Sequence, residues 1–181
     1  MHKLSALKNN SDWYEHSSAP VYEYAPGASR IVAALPSGSS EYFQKIVSSL
    51  APPYMLLYVL HTPRGEATSG RYQSPELTSE DFQEFITKFG SYLSSDSRFD
   101  IWARSSNDGA TIVWDRHNLL YAYGPLEKLH NELTSLGFTS GSASIPSPHT
   151  HNYHQALDHS AKELLSHLQW SRTDLHPEDE Q

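Results

Sequence analysis

The chain has 181 residues, 38% of them hydrophobic and 12% aromatic, and its 21 acidic against 13 basic side chains give a formal net charge of −8. That length supports one domain with a sizeable core, while the charge and the lack of any Lys/Arg run argue against nucleic acid as a partner. Cysteine is absent, which excludes disulfides, thiolate metal sites and cysteine nucleophiles.

Residues 1–20 read as a polar arm with Trp13 and Tyr14 as its apolar anchors, and they lack the apolar stretch of a signal peptide. "VYEYAPGASRIVAAL" reads as a hairpin, strands 21–25 and 30–35 around "PGAS". "PSGSSEYFQKIVSSLAPP" carries Phe43, Ile46, Val47 and Leu50 at helical spacing and ends on a proline pair. "YMLLYVLH", a continuous apolar run of strand length, suits a central strand covered on both faces. From 62 to 78 the pattern vanishes, which predicts a long loop.

"SEDFQEFITKFGSYLSSD" is the clearest helix, with Phe82, Phe85, Ile86, Phe89 and Leu93 on one stripe. Three short strands follow, "RFDIWARS", "ATIVWDR" and "NLLYAYG", joined by the turn-forming "SNDG" and "DRHN", so the economical reading is an antiparallel meander. In its last strand the larger side chains, Leu119, Tyr121 and Tyr123, are expected to face the helices. If that face were open it would instead be an aromatic surface suited to a partner. A third helix carries Leu126, Leu129, Leu133 and Leu136. A serine-rich connector leads to a last helix over 153–168, and 171–181 form an acidic tail expected to fray. The predicted architecture is α+β: one domain over 21–170, with a mixed or mostly antiparallel sheet of five to six strands, the meander included, packed against three to four helices.

Three places could carry chemistry. "PSPHTHNYHQALDHSAKELL" holds four histidines within eleven positions. His151, His154 and Asp158, at i, i+3 and i+7, would share a helix face, and His149 could add a fourth ligand for zinc or another divalent metal. Against this, the apolar stripe Leu157, Ala161, Leu164 and Leu168 lies near His154 and away from His159, so His154 also reads as a core-edge histidine bonded to a backbone carbonyl. The predicted loop after the central strand offers His61, Arg64, Arg71 and Tyr72, a set able to hold a carboxylate or phosphate. The turn "DRHN" puts Asp115 beside His117, either as ordinary turn residues or as an acid orienting an imidazole. No P-loop, G-x-G-x-x-G or G-x-S-x-G occurs.

Two functional expectations follow. One is a small cytoplasmic binding or regulatory module without catalysis, docking a protein or a small anionic ligand, such as an inhibitor or immunity-type partner of a basic protein. The other is a metal-dependent hydrolase-like enzyme built on the tract 149–159, with His61, Arg64 or His117 holding substrate. A third option, a histidine charge change below about pH 6.5, belongs to the same tract. No membrane partner is expected, since no apolar stretch reaches spanning length.

Overall fold

A computed structural model describes residues 1–8, 12–25, 27, 29–36 and 40–179. The order is β1 (Leu4–Lys8), β2 (Asp12–Glu15), β3 (Val21–Tyr24), β4 (Ile31–Ala34), α1 (Ser40–Ser48), β5 (Tyr54–Leu60), β6 (Gly70–Leu77), α2 (Ser79–Ser95), β7 (Phe99–Ser105), β8 (Ala110–Trp114), β9 (Leu119–Tyr123), α3 (Leu126–Ser135), β10 (Thr139–Ser140), β11 (His149–His151), α4 (Asp158–His167) and β12 (Ser171–Thr173). The fold is α+β. A nine-stranded sheet runs β10-β3-β4-β9-β8-β7-β5-β6-β12, antiparallel except for the β10/β3 pair, and a small antiparallel sheet runs β11-β1-β2. No helix among the described residues is long and apolar enough to cross a membrane.

All four helices contribute to one core on one face of the large sheet. Helix α2 begins in a reciprocal cap, in which Thr78 accepts from the Asp81 amide and Asp81 accepts from the Thr78 amide. It lays Phe82, Phe85, Phe89 and Leu93 on inward residues of the sheet such as Tyr54, Leu56 and Ile101. Each such side chain, buried almost completely, contributes about 1.5–3 kcal/mol. Phe43 of α1 packs on Trp114 and Phe82 at ring separations of 5.6 and 6.3 Å, and the Tyr58 and Tyr92 hydroxyls bond at 2.6 Å in the interior.

Several expectations need correction. The large sheet has nine strands because three segments read as irregular also pair into it: β6 beside β5, and β10 and β12 at the two edges. Within the predicted loop 62–78, Gly70–Leu77 forms β6 against β5. Its alternation is masked by Pro75 and by polar Ser74 on the inward side, where the Ser74 hydroxyl accepts from the Leu56 amide at 2.9 Å beside a register shift in the ladder. The C-terminal segment supplies β12 on the free edge of β6, and Asp179 is clamped by Arg71 at 2.7 and 2.9 Å. The N-terminal segment contains β1 and β2; it is anchored by Lys3, Leu4 and Ala6, all buried, whereas Trp13 and Tyr14 are 52% and 47% exposed.

The remaining correction concerns faces. Leu120 and Ala122 point to the helices, and Tyr121 and Tyr123 point away. Register decides this. Ala122 sits opposite Ile31 and Ile112, both inward, so parity on β9 is fixed by its neighbours rather than by side-chain size. Strand β5 likewise has Met55 and Leu57 half-buried on the outer face. Its continuous apolar run therefore reflects an apolar floor under an open groove, not a second helical layer.

Candidate functional site

The outer face of the large sheet, opposite the helices, carries a hollow. Its central part is a cavity of about 720 Å³ lined by Arg30, Asp100, Trp102, Tyr121, Tyr123 and His117, among others. Antiparallel register arranges the floor in tiers. Thr111 and Tyr123 are paired at one end, Trp102, Val113 and Tyr121 lie abreast in the middle, and Asp100, Asp115 and Leu119 mark the other end. Beyond Asp115 the chain turns through Asn118, which takes a positive φ of 61°, and His117 stands at that end.

His149 and His151 are brought to the same end by a different element. They are two residues apart on β11, which puts both rings on one side of the strand. Strand β11 pairs with β1, Leu4 opposite His151 and Ala6 opposite His149. The Asn152 amide donating to the Lys3 carbonyl (2.8 Å) extends that pairing, and the pair is fastened to the body at the link between α2 and β7, where the Ser97 hydroxyl donates to the Lys3 carbonyl (2.6 Å) and the Ser97 amide to the Asn152 carbonyl (3.1 Å). One ring nitrogen from each of His117, His149 and His151 lies within 4.8 Å of the others, and all three residues are half-buried.

Hydrogen bonds fix which nitrogens face the cluster. His117 Nδ1 meets Asp115 Oδ2 at 3.1 Å, and His149 Nδ1 meets the Pro146 carbonyl at 2.9 Å. Both partners are pure acceptors, so each Nδ1 carries a proton, and Nε2 is the nitrogen left to offer a lone pair to a metal. Metal-ligating histidines characteristically have such a second-nitrogen partner, a carboxylate or carbonyl that orients the ring. Burial first, then the neighbouring His117, lowers His151 to about 4, so its ring is neutral at pH 7. Around a tetrahedral zinc with Zn–N of about 2.0–2.1 Å, nitrogens sit about 3.4 Å apart, so these three need to close by at most about 1.4 Å.

Asp115 is held rigidly. Its Oδ1 accepts from the His117 and Leu119 amides at 2.9 and 2.8 Å. Asp100 is the neighbouring acid, accepting from His61 Nε2 (2.9 Å) and the Arg116 amide (2.8 Å). Burial alone would raise its carboxyl, but the bond to His61 and the charges around it pull it below the usual range.

The other ligands considered for the tract lie elsewhere. Chain extension through 149–151, followed by a 3-10 turn at Gln155–Leu157 and α4 only from Asp158, breaks the helical spacing that would align His151, His154 and Asp158. His154 bonds the His2 carbonyl through Nε2 (3.2 Å), and its amide donates to Asp96 (2.8 Å). Asp158 accepts from Arg98 (2.9 Å) and Arg64 (3.1 Å), beside the fully buried pair in which Asp96 grips Arg98 at 2.8 and 2.9 Å.

Of the residues considered for ligand binding, only His117 lines the cavity. His61 backs Asp100, and Arg64 is spent on Asp158. Arg71 lies over the Trp102 ring in a smaller adjoining groove, and Tyr72 is buried with its hydroxyl on the Thr68 carbonyl.

Arg30 and Trp102 were not among the sequence candidates, since Arg30 stands alone and Trp102 is one inward-or-outward residue among many. "PSPHTHNY" did hold a usable signal for the histidines: prolines at 146 and 148 disfavour helix there, and extended chain puts His149 and His151 on one face. Comparison with protein-family models, curated proteins and solved structures gives no match.

Proposed function

We propose that the protein is a metal-dependent hydrolytic enzyme of zinc type, with His117, His149 and His151 as the protein ligands. One observation carries this: His117 belongs both to the three-histidine cluster and to the wall of the 720 Å³ cavity, so a metal held there would face a substrate-sized space. Three imidazoles leave a fourth position for water, and coordination brings that water's pKa toward neutrality. Such a metal would supply an activated water for hydrolysis at a carbonyl or phosphoryl centre, with His117, His149 and His151 as the residues that would hold it. Asp115 and the Pro146 carbonyl hold two of the ligands in the required tautomer.

Elemental analysis of untagged protein, with zinc titration against a chromophoric chelator, tests the reading. The expected result is close to one zinc per chain, lost in His117→Ala, His149→Ala and His151→Ala and kept in His154→Ala. Absent zinc binding, or equal loss in His154→Ala, overturns it.

A second reading, a non-catalytic module for a protein partner, is favoured by one feature. Strand β2 is the edge of the small sheet, and all four of its residues, Trp13 and Tyr14 included, are exposed. Exposed aromatics on an edge strand suit strand addition by another chain. If this reading is right, a partner co-purified from the source cells is retained by the wild type and lost by a Trp13→Ser/Tyr14→Ser double variant.

A further inference from the structure

The open-face cavity has an unmet demand for acceptors. Among the described residues, the Arg30 Nε–H and the Trp102 indole N–H are buried from solvent without a hydrogen-bond partner, and both residues line the cavity. Buried donors in folded proteins nearly always have partners, and two orphans in one cavity point to a ligand that supplies them. Three of the four carboxylates lining it are already engaged, Asp100 by His61 and the Arg116 amide, Asp115 by His117 and Leu119, and Asp179 by Arg71; the fourth is Glu178. Arg30 contacts only neutral groups among the described residues, donating to the Tyr123 hydroxyl at 3.0 Å and lying 5.3 and 5.7 Å from the Tyr121 and Tyr123 ring centres.

We propose that this cavity binds a small organic anion, a carboxylate or a phosphate ester with a flat unsaturated body, whose anionic group docks on Arg30 and the Trp102 N–H. As the substrate site of the metal centre this rests on the preceding reading; as a binding site it does not. The guanidinium supplies charge and a planar donor edge for an oxyanion. Trp102, Tyr121 and Tyr123 supply π-faces for the body.

The tiers also set the ligand's length. Arg30 spans the Tyr121 and Tyr123 tiers, and His117 stands at or beyond the tier of Asp115. Two residues of strand rise about 7 Å, so the anion and the reacting bond are separated by about 7–13 Å. That is the span of one or two aromatic rings with a short linker.

Calorimetric titration in the presence of EDTA tests the inference independently of metal. The probes are 4-nitrobenzoate, 4-nitrophenyl phosphate and the neutral 4-nitrobenzyl alcohol; the first two separate a carboxylate from a phosphate source. At least one anion is expected to bind tenfold or more tightly than the alcohol. Arg30→Met should remove that preference, Trp102→Phe should weaken anion binding several-fold, and His149→Ala should leave it intact. Arg30 and Trp102 lie outside the helix-covered core, so both variants should fold. Equal binding of the alcohol and both anions, or an anion preference that survives Arg30→Met, overturns the inference. Anion binding seen only with zinc and abolished by His149→Ala would also overturn it, while favouring the metal reading.

Discussion

Two polar clusters lie at opposite extremes of satisfaction. Around Arg98 every guanidinium nitrogen has an oxygen: Nε and Nη2 on Asp96, Nη1 on Glu66 at 3.1 Å, and Nη2 also on Asp158. Arg98, Asp96 and the Glu66 side chain are almost wholly buried, and the cluster ties the loop after β5, the end of α2 and the start of α4 together. On the open face, among the described residues, Arg30 and Trp102 hold buried donors without an acceptor, and three imidazoles gather at one point. A polar cluster whose every group is matched is a structural staple. One left unmatched beside a cavity is where a ligand belongs.

The sharpest way to break that contrast is to delete one arginine from each cluster. Arg98→Met leaves Asp96 and Glu66 as buried, unpaired carboxylates and should cost about 3–5 kcal/mol, read as a fall in the urea midpoint at unchanged m-value. Arg30→Met removes a bond to one tyrosine hydroxyl and two ring contacts and should cost less than about 1 kcal/mol. Similar losses in the two variants would mean that Arg30 is as structural as Arg98.

Lys3 lies between the clusters and sharpens the comparison through pH. Its ammonium is fully buried over the Phe99 and Trp114 rings, at 4.8 and 4.1 Å, with one hydrogen bond, to the Asp115 carbonyl at 3.3 Å. Burial lowers it to about 8, against the upward pull of Asp115, Asp100 and Asp96. Between that value and the 10.5 of the unfolded chain, the unfolded state binds the extra proton, so stability rises with pH across this window. Below about pH 8 both states are charged and the penalty, about 3 kcal/mol, is present in full. Relative to Lys3→Met, the wild type should therefore gain about 3 kcal/mol between pH 7.5 and 10.5, measured as the difference in urea stability. A difference flat in pH would show that Lys3 is solvated in the native state.

The contrast also explains what could be read from the sequence. Helices α1, α2 and α3 and the meander were legible, because Phe82, Phe85 and Phe89 or Leu129 and Leu133 repeat at a period set by burial. Strand β6 was not, because Ser74 replaces a ladder partner and Pro75 interrupts the pattern, and both effects depend on β5 alongside. For the site, the histidine tract and the Asp115–His117 pair could each be picked out, but not that they meet. That contact depends on docking β1 and β11 onto the end of the large sheet through Lys3 and Ser97, two buried polar residues with no periodic signal. His154 and Asp158 were drawn into the metal set by the helical spacing i, i+3 and i+7, which holds only if the helix starts before His151; it starts at Asp158, and the matched cluster around Arg98 took them instead.

The smallest effect tests whether the open-face cluster is built for metal or merely polar. In Asp115→Asn the side-chain oxygen can still accept from the His117 and Leu119 amides, so the turn should survive. The new amide NH2 then faces His117 Nδ1, and two donors cannot meet, so the imidazole proton moves to Nε2 and removes the lone pair from the cluster. Zinc affinity should fall about 10–100-fold, or about 1.4–2.8 kcal/mol, with metal-free urea stability nearly unchanged. Nitrogen-15 shifts of the His117 ring would record the exchange of tautomers directly. If Asp115→Asn binds zinc as the wild type does, Asp115 serves only the turn and His117 is not held for coordination. If affinity falls without a tautomer change, the loss comes from the carboxylate's charge, and Asp115 acts on the metal through space rather than through the ring.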